Sequence, residues 1–416
     1  MTNVSEMTAM PDADIANLKD SAADVITELR DRIVAVSRDI HAHPELAFEE
    51  RYAAERVATE LEMAGFAVTR AAYGVETSVE GVYGSGEFRV VLCAEYDALP
   101  GVGHACGHNT IAATAVGTAL ALKPLVDDLG LQLVVLGTPA EEHGGGKIVL
   151  MRNGAFEGAV VSAMVHGVAE AEEMSVSLVK MQCVDRFDVS FTGRDAHAAA
   201  APHEAVNAAA AATLAEVAVG LLRQQLADGI RLSAITMEAG AVTNIVPGYS
   251  RLSIEVRSQD LDEMLETKRR VLQCMEGAAI ATGCSWTHNR TEPRYISIDP
   301  NPLLCKAWDS NMARVGRPVT DRLAFAGGST DMGNVSRVVP SIHPHILLKG
   351  AAAPPHTHEF AEAAGSEPGD DCVVDGATVL AWTIIDVAAD PSARADLLRL
   401  CAAREPGDTM IDQNGD

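Results

Sequence analysis

Three short apolar runs restrict this chain more than anything else in it: VVLC at residues 90–93, LQLVVLG at 131–137 and VVSAMV at 160–165. Nearly unbroken apolar runs of this length are the pattern of strands buried on both faces of a parallel sheet. Parallel neighbours need crossovers, and the Ala-rich helical pattern opening at Asn109 lies between the first two. The runs also end alike. The first leads into Asp97, His104, Cys106 and His108, the second into Glu141 and Glu142, and the third into His166. Parallel strands bring such ends to one edge, where α/β proteins build their sites.

The chain has 416 residues, 48% of them hydrophobic, enough for two cores. Its formal charge of -26, without any Lys/Arg-rich block, argues against nucleic acid or an anionic membrane as partner. The N-terminus lacks a basic stretch followed by an apolar one, and no window is expected to span a membrane, so the expected compartment is the cytoplasm. Eight cysteines without a C-x-x-C pair fit a reducing compartment. Only Cys106 has a histidine two residues away, and such a C-x-H pair puts a thiolate and an imidazole within reach of one transition metal.

Apolar positions at helical spacing predict one or two surface helices over 14–35 and another over 51–64, with His41 and His43 as loop or packing residues around Pro44. GGGK after His143 is not a phosphate loop, because Ile148 follows Lys147 where Ser or Thr is required. From 184 to 294 the pattern changes to strand, helix, strand, strand, helix, strand, with helices over 205–227 and 260–282. That is the order of a ferredoxin-like α+β unit. It divides the chain into a discontinuous α/β domain with a mixed sheet, residues 1–183 and 295–416, and an inserted domain whose free edge strand suits dimerisation. Residues 374–387 read as a buried helix, and the tail after Arg404 as disordered.

Two divalent ions sharing a thiolate or carboxylate, with a further glutamate beside them, suit amide hydrolysis. The ions acidify a water and polarise the carbonyl, while a free carboxylate moves the proton. Adjacent glutamates can divide this work, one ligating and one acting as base. Two other classes remain open: a hydrolase using Cys106 as nucleophile, and a metal-stabilised binding protein without turnover.

The ordered motifs DALPGVGHACGHN, TPAEEHGGGK, MVH, GRDAHAAAAP, TNIVP, GGSTDMGN and HTHEF resemble the M20 family of metallopeptidases and amidohydrolases over nearly the whole chain. The resemblance is to the branch holding p-aminobenzoyl-glutamate hydrolase and the M20 domain-containing protein 2 type. It implies two divalent ions, zinc or manganese, held by Cys106, His108, Glu142, His166 and His356, with Glu141 as general base and Asp97 orienting a ligand histidine. It also implies an oxyanion role for His197 across a homodimer interface formed by the insert. Asn244, Arg257, Gly328 and Ser329 would contact substrate, a small amide or dipeptide. The expected reaction is cleavage of an N-acyl, aminobenzoyl or aminoacyl amino acid with a free carboxylate; unusual dipeptides are the alternative substrates. Glu95 stands where many relatives have a ligand histidine, Asn109 replaces an aspartate, and His143 replaces a small residue. Of His356 and His358, the HT-x-x-F pattern selects His356.

Overall fold

The computed structural model describes residues 10–169, 172–322 and 327–404. The tail expected to be disordered lies outside them. The chain forms two compact units: Lys180–Ser297 with Gly327–Thr330, and the remainder on either side.

The first unit begins with helices α1 (Asp12–Glu28), α2 (Arg30–Ala42) and α3 (Arg51–Met63). Strands β1 (Ala67–Arg70), β2 (Val79–Tyr83) and β3 (Phe88–Ala94) lead to α4 (His108–Leu122), β4 (Leu131–Gly137), α5 (Gly146–Arg152), β5 (Val161–Ala163) and β6 (His166–Val168). After the second unit come α8 (Pro302–Met312), α9 (Met332–Ser336), β13 (Ser341–Ile342), β14 (His345–Leu347), α10 (His358–Ala364), α11 (Glu367–Ala389) and α12 (Pro391–Ala402). The main sheet runs β1-β2-β4-β3-β5-β13. β3 is parallel to both β4 and β5, and β2 is antiparallel to β4, so the sheet is mixed. The three apolar runs are thus its parallel centre, and their C-terminal ends share an edge.

Every residue of α4 is buried. Its alanines let it pack closely against α2 and α11, and burial on all sides explains why it has no polar stripe. α11 is long and apolar enough to cross a membrane by length and composition, against the expectation that no window would be. It is mostly buried in the core beside α4, α8 and α1. The third run breaks at Met164 and Val165, and His166 opens β6, which pairs with β14 in a separate two-stranded ladder.

The second unit contains β7 (Cys183–Thr192), β8 (Ala196–His197), α6 (Ala208–Arg223), β9 (Arg231–Glu238), β10 (Ile245–Val246), β11 (Tyr249–Ser258), α7 (Leu261–Thr282) and β12 (Ser285–Arg290). Its four-stranded sheet has the order β12-β7-β11-β9 with antiparallel neighbours, the ferredoxin-like arrangement. The alternating burial of β11 matches a sheet with one covered face. Asn207 and Asp260 cap α6 and α7 by accepting from Ala210 and Glu263.

Candidate metal centre

In the first unit the strand ends deliver their polar residues to one place. Ligand atoms of Cys106, His108 and His166 lie within 4.8 Å of one another, as do those of Cys106, Glu142 and His356. The two sets share the thiol.

Local hydrogen bonds fix how the histidines face. His108 Nδ1 donates to Asp97 Oδ1 at 2.9 Å, and His166 Nδ1 donates to the Gly167 carbonyl at 2.9 Å. In each ring Nε2 is then the nitrogen turned inward, the atom a ligand would use. His166 Nε2 meets Cys106 Sγ at 3.5 Å. His108 Nε2 and Glu142 Oε1 are buried without a hydrogen-bond partner, 3.9 Å apart. That is too long for a hydrogen bond, so each atom is left free for an ion of its own set. His356 Nε2 lies 3.6 Å from the same Glu142 oxygen, with its side chain 57% exposed. The orphaned atoms and the S, N, O donor set fit a transition-metal pair.

The electrostatics point the same way. Burial disfavours charge on His108, but Asp97 and Cys106 outweigh it and hold its proton affinity well above the ordinary value. Burial raises Asp97, yet the His108 charge and hydrogen bond pull it below the usual carboxylate range. The pocket thus selects positive charge, from protons or metal. Burial pushes the Cys106 thiol well up, helped by Glu142, and pushes His166 well down. Glu141 is buried and raised well above the usual range by burial first, then by Glu95 and Glu142.

Glu141 and Glu142 sit in a turn held from several sides. Ala140 has φ 60°, one of five non-glycine residues with positive φ among the described residues; the ligand candidate His356, at 70°, is another. Left-handed backbone costs a residue with a Cβ about 1–2 kcal/mol, and such strain gathers where a site must be shaped. The Ala140 amide donates to Glu50 Oε1 at 2.8 Å, and the Glu142 amide to Asp97 Oδ2 at 2.9 Å. A hydrogen bond contributes about 0.5–1.5 kcal/mol, which offsets part of the strain. A Cβ on Gly146 would stand 1.7 Å from the Pro139 carbonyl oxygen, so only glycine lets α5 close on the turn.

Beneath the site lies a buried ion triad. Lys147 Nζ donates to Glu95 and, at 2.6 Å, to Asp331 Oδ1, and all three side chains are fully buried. The missing ligand histidine is thus a glutamate paired to a lysine. Glu95, His108 and Glu141 nevertheless have ligand atoms within 4.8 Å of one another. Asn109 donates to Ser37 Oγ and the Ala364 carbonyl, tying the start of α4 to its neighbours. His143 is exposed. His358 opens α10 and joins no three-residue ligand group among the described residues. His343 and His345 are buried, their rings 5.5 and 5.9 Å from that of His166. His104 is buried too, and burial lowers it to about 3. His41 Nε2 bonds the Ala361 carbonyl, and His43 stacks on Tyr52, the packing roles expected.

The remaining sequence-predicted residues belong to the second unit. His197 and Asn244 are exposed neighbours: Ile245 pairs with His197, and the Ala198 amide donates to the Asn244 carbonyl. The amides of Ala199 and Ala200 donate to His197 Nδ1 at 3.2 and 3.1 Å, which places the ring proton on Nε2. Arg257 donates to Ser329 Oγ at 3.1 Å and to both oxygens of Glu255. The Gly328 carbonyl accepts from the Gln182 amide.

A family model for a peptidase dimerisation domain matches residues 184–282. Mouse Xaa-Arg dipeptidase is 37% identical over 397 residues, covering 91% of this chain and 91% of its own. A component of the p-aminobenzoyl-glutamate hydrolase of Escherichia coli is 30% identical over 326 residues, 73% of this chain and 67% of its own. Among solved structures, a Bacillus subtilis dinuclear metal-binding peptidase of the M20 family aligns with TM-score 0.66 at 19% identity, over 87% of this chain and 99% of its own.

Proposed function

We propose a function from one premise: this chain belongs to the M20 family of metallopeptidases and amidohydrolases, and is an enzyme that hydrolyses amide or peptide bonds. Within that frame, the substrate we assign is an N-acyl or aminobenzoyl amino acid with a free carboxylate. The observation that carries the proposal is the pair of ligand sets sharing Cys106, with Glu141 beside them. Cys106, His108 and His166 would hold one divalent ion, and Cys106, Glu142 and His356 the other. Such ions, when bound, acidify a water and polarise the scissile carbonyl; the thiolate favours zinc over manganese by softness.

The chain's own groups do the rest. Asp97 keeps the His108 ring turned and holds the Glu142 amide. Glu141, buried with raised proton affinity, takes the proton of the attacking water and returns it to the leaving amine. His197, with its proton on Nε2, donates to the developing oxyanion across the dimer interface. Arg257, bonded to Ser329 beside Gly328, receives the substrate carboxylate, and Asn244, beside His197, contacts the substrate elsewhere; the engagement of Arg257 by Glu255 tempers its charge. Exposed apolar residues on α6 (Leu214, Val217, Leu221) and on the edge strand β9 (Ile235, Met237) support a homodimer through the second unit. Eight cysteines that form no disulfide support a reducing, cytoplasmic setting.

A second reading, a dipeptidase, is favoured by the long match to Xaa-Arg dipeptidase. One panel separates the two: p-aminobenzoyl-glutamate, N-acetyl amino acids, and dipeptides ending in basic or neutral residues, each with zinc, manganese or chelator. Turnover that needs metal and falls by about 10²–10⁴ in Glu141→Ala upholds the mechanism, and the substrate turned over picks the reading. Turnover that survives chelation, or survives Glu141→Ala, refutes it.

A further inference from the structure

The residue assigned as base is flanked by two anchored amides. On one side the Glu142 amide is held by Asp97, and on the other the Ala140 amide is held by Glu50. Both acceptors are buried, and each reaches the turn from a distant segment, Asp97 beyond β3 and Glu50 at the head of α3. The Ala140 carbonyl is occupied as well, accepting from the Gly146 amide at 3.2 Å. Ala140, at φ 60°, is therefore fixed in a conformation its side chain disfavours, and Glu141 is the next residue along.

Asp97 orients a ligand; Glu50 touches none of the five ligand side chains. One Glu50 oxygen has no hydrogen-bond partner, although Thr77 lies beside the carboxylate. A buried carboxylate only half matched costs stability, so stability alone does not account for its presence. Its one direct bond to the active-site turn is to the amide that precedes the base.

We infer that Glu50 is a positioning residue for the reaction: by holding the Ala140 amide it sets the backbone direction from which Glu141 reaches the water. The inference rests on the reading of Glu141 as base. An error of about 1 Å in placing such a group lowers turnover by up to about a hundredfold, whereas substrate binding, made elsewhere, is unaffected.

The test compares Glu50→Ala, Glu50→Asp and Glu50→Gln with wild type, measuring kcat and KM per metal-loaded chain, metal content, and melting. Glu50→Ala removes the acceptor. Glu50→Asp keeps a buried carboxylate but draws it back from the amide, and so remains informative if the alanine variant does not fold. Glu50→Gln keeps an acceptor oxygen in place. The expected result is a kcat lower by about tenfold or more in the first two, with KM and metal content unchanged, and recovery to within about threefold in Glu50→Gln. A kcat per loaded chain equal to wild type in Glu50→Asp, with only melting altered, overturns the inference, as does a glutamine variant as slow as the aspartate one. Glu141→Ala separates the premises: if it retains turnover, the base assignment itself has failed; if it is inactive while Glu50→Asp is fully active, only the role of Glu50 has.

Discussion

Replacing Lys147 by methionine removes the single cation from between two buried carboxylates, Glu95 and Asp331. Breaking a buried pair in this way costs about 3–5 kcal/mol, because the partner charges stay behind without compensation. A ceiling follows from protonation. Lifting Glu95 and Asp331 from ordinary values of 4.5 and 3.8 to full protonation near neutral pH costs about 8 kcal/mol for the two together, at about 1.36 kcal/mol per unit. The loss should therefore fall between about 3 and 8 kcal/mol. Burial already raises both carboxyls in the wild type, with Lys147 opposing it, and the variant removes that opposition. A carboxyl whose folded-state affinity is raised contributes stability below its unfolded pKa and loses it as pH rises through the folded one. The deficit of Lys147→Met should thus shrink toward about pH 5 and widen toward pH 7, with a slope steeper than wild type by about 1.4 kcal/mol per unit for each carboxyl newly protonated. Urea unfolding of metal-stripped protein, followed by the fluorescence of Trp308 and Trp382, both buried in the first unit, measures this. A loss below about 1 kcal/mol at pH 7, or a pH slope no steeper than wild type, would refute the reasoning.

Two further outcomes follow from the structure. Burial, with the nearby Asp97 charge, raises Glu50 to about 7 from 4.5; its contribution is present below about pH 4.5 and lost as pH rises through 7, so Glu50→Gln should gain up to about 3 kcal/mol on wild type between pH 5 and 8. Equal pH dependence of the two proteins in urea unfolding would contradict this. Leu221→Glu, on a side chain 71% exposed on α6, should halve the mass seen by light scattering, whereas a mass equal to wild type would move the interface elsewhere.

The parts of the fold that were legible in the sequence were those fixed by local pattern. The run at 90–93 sits inside β3 and the run at 131–137 is β4, because continuous apolarity bounded by turn residues has one strand-level solution here. Helix ends were less legible: 205–227 shortens to Ala208–Arg223 since Asn207 caps it. The ligand candidates of the first unit could be grouped because the motifs are dense in Cys, His and Glu. Glu50 and the Lys147 triad could not be found in the same way. A buried glutamate looks like a solvated one in sequence, and a lysine after three glycines looks exposed; only the tertiary packing that brings residues 50, 95, 140, 147 and 331 together reveals them.

The first unit is made from both ends of the chain, with Cys106, His108, Glu142 and His166 before the insert and His356 after it. During synthesis the early residues leave the ribosome long before α11 exists to cover α4, whose every residue is buried in the finished fold. The nascent chain therefore has an uncovered helix to shelter, a task for chaperones, while the inserted unit, continuous but for four residues, can fold on schedule.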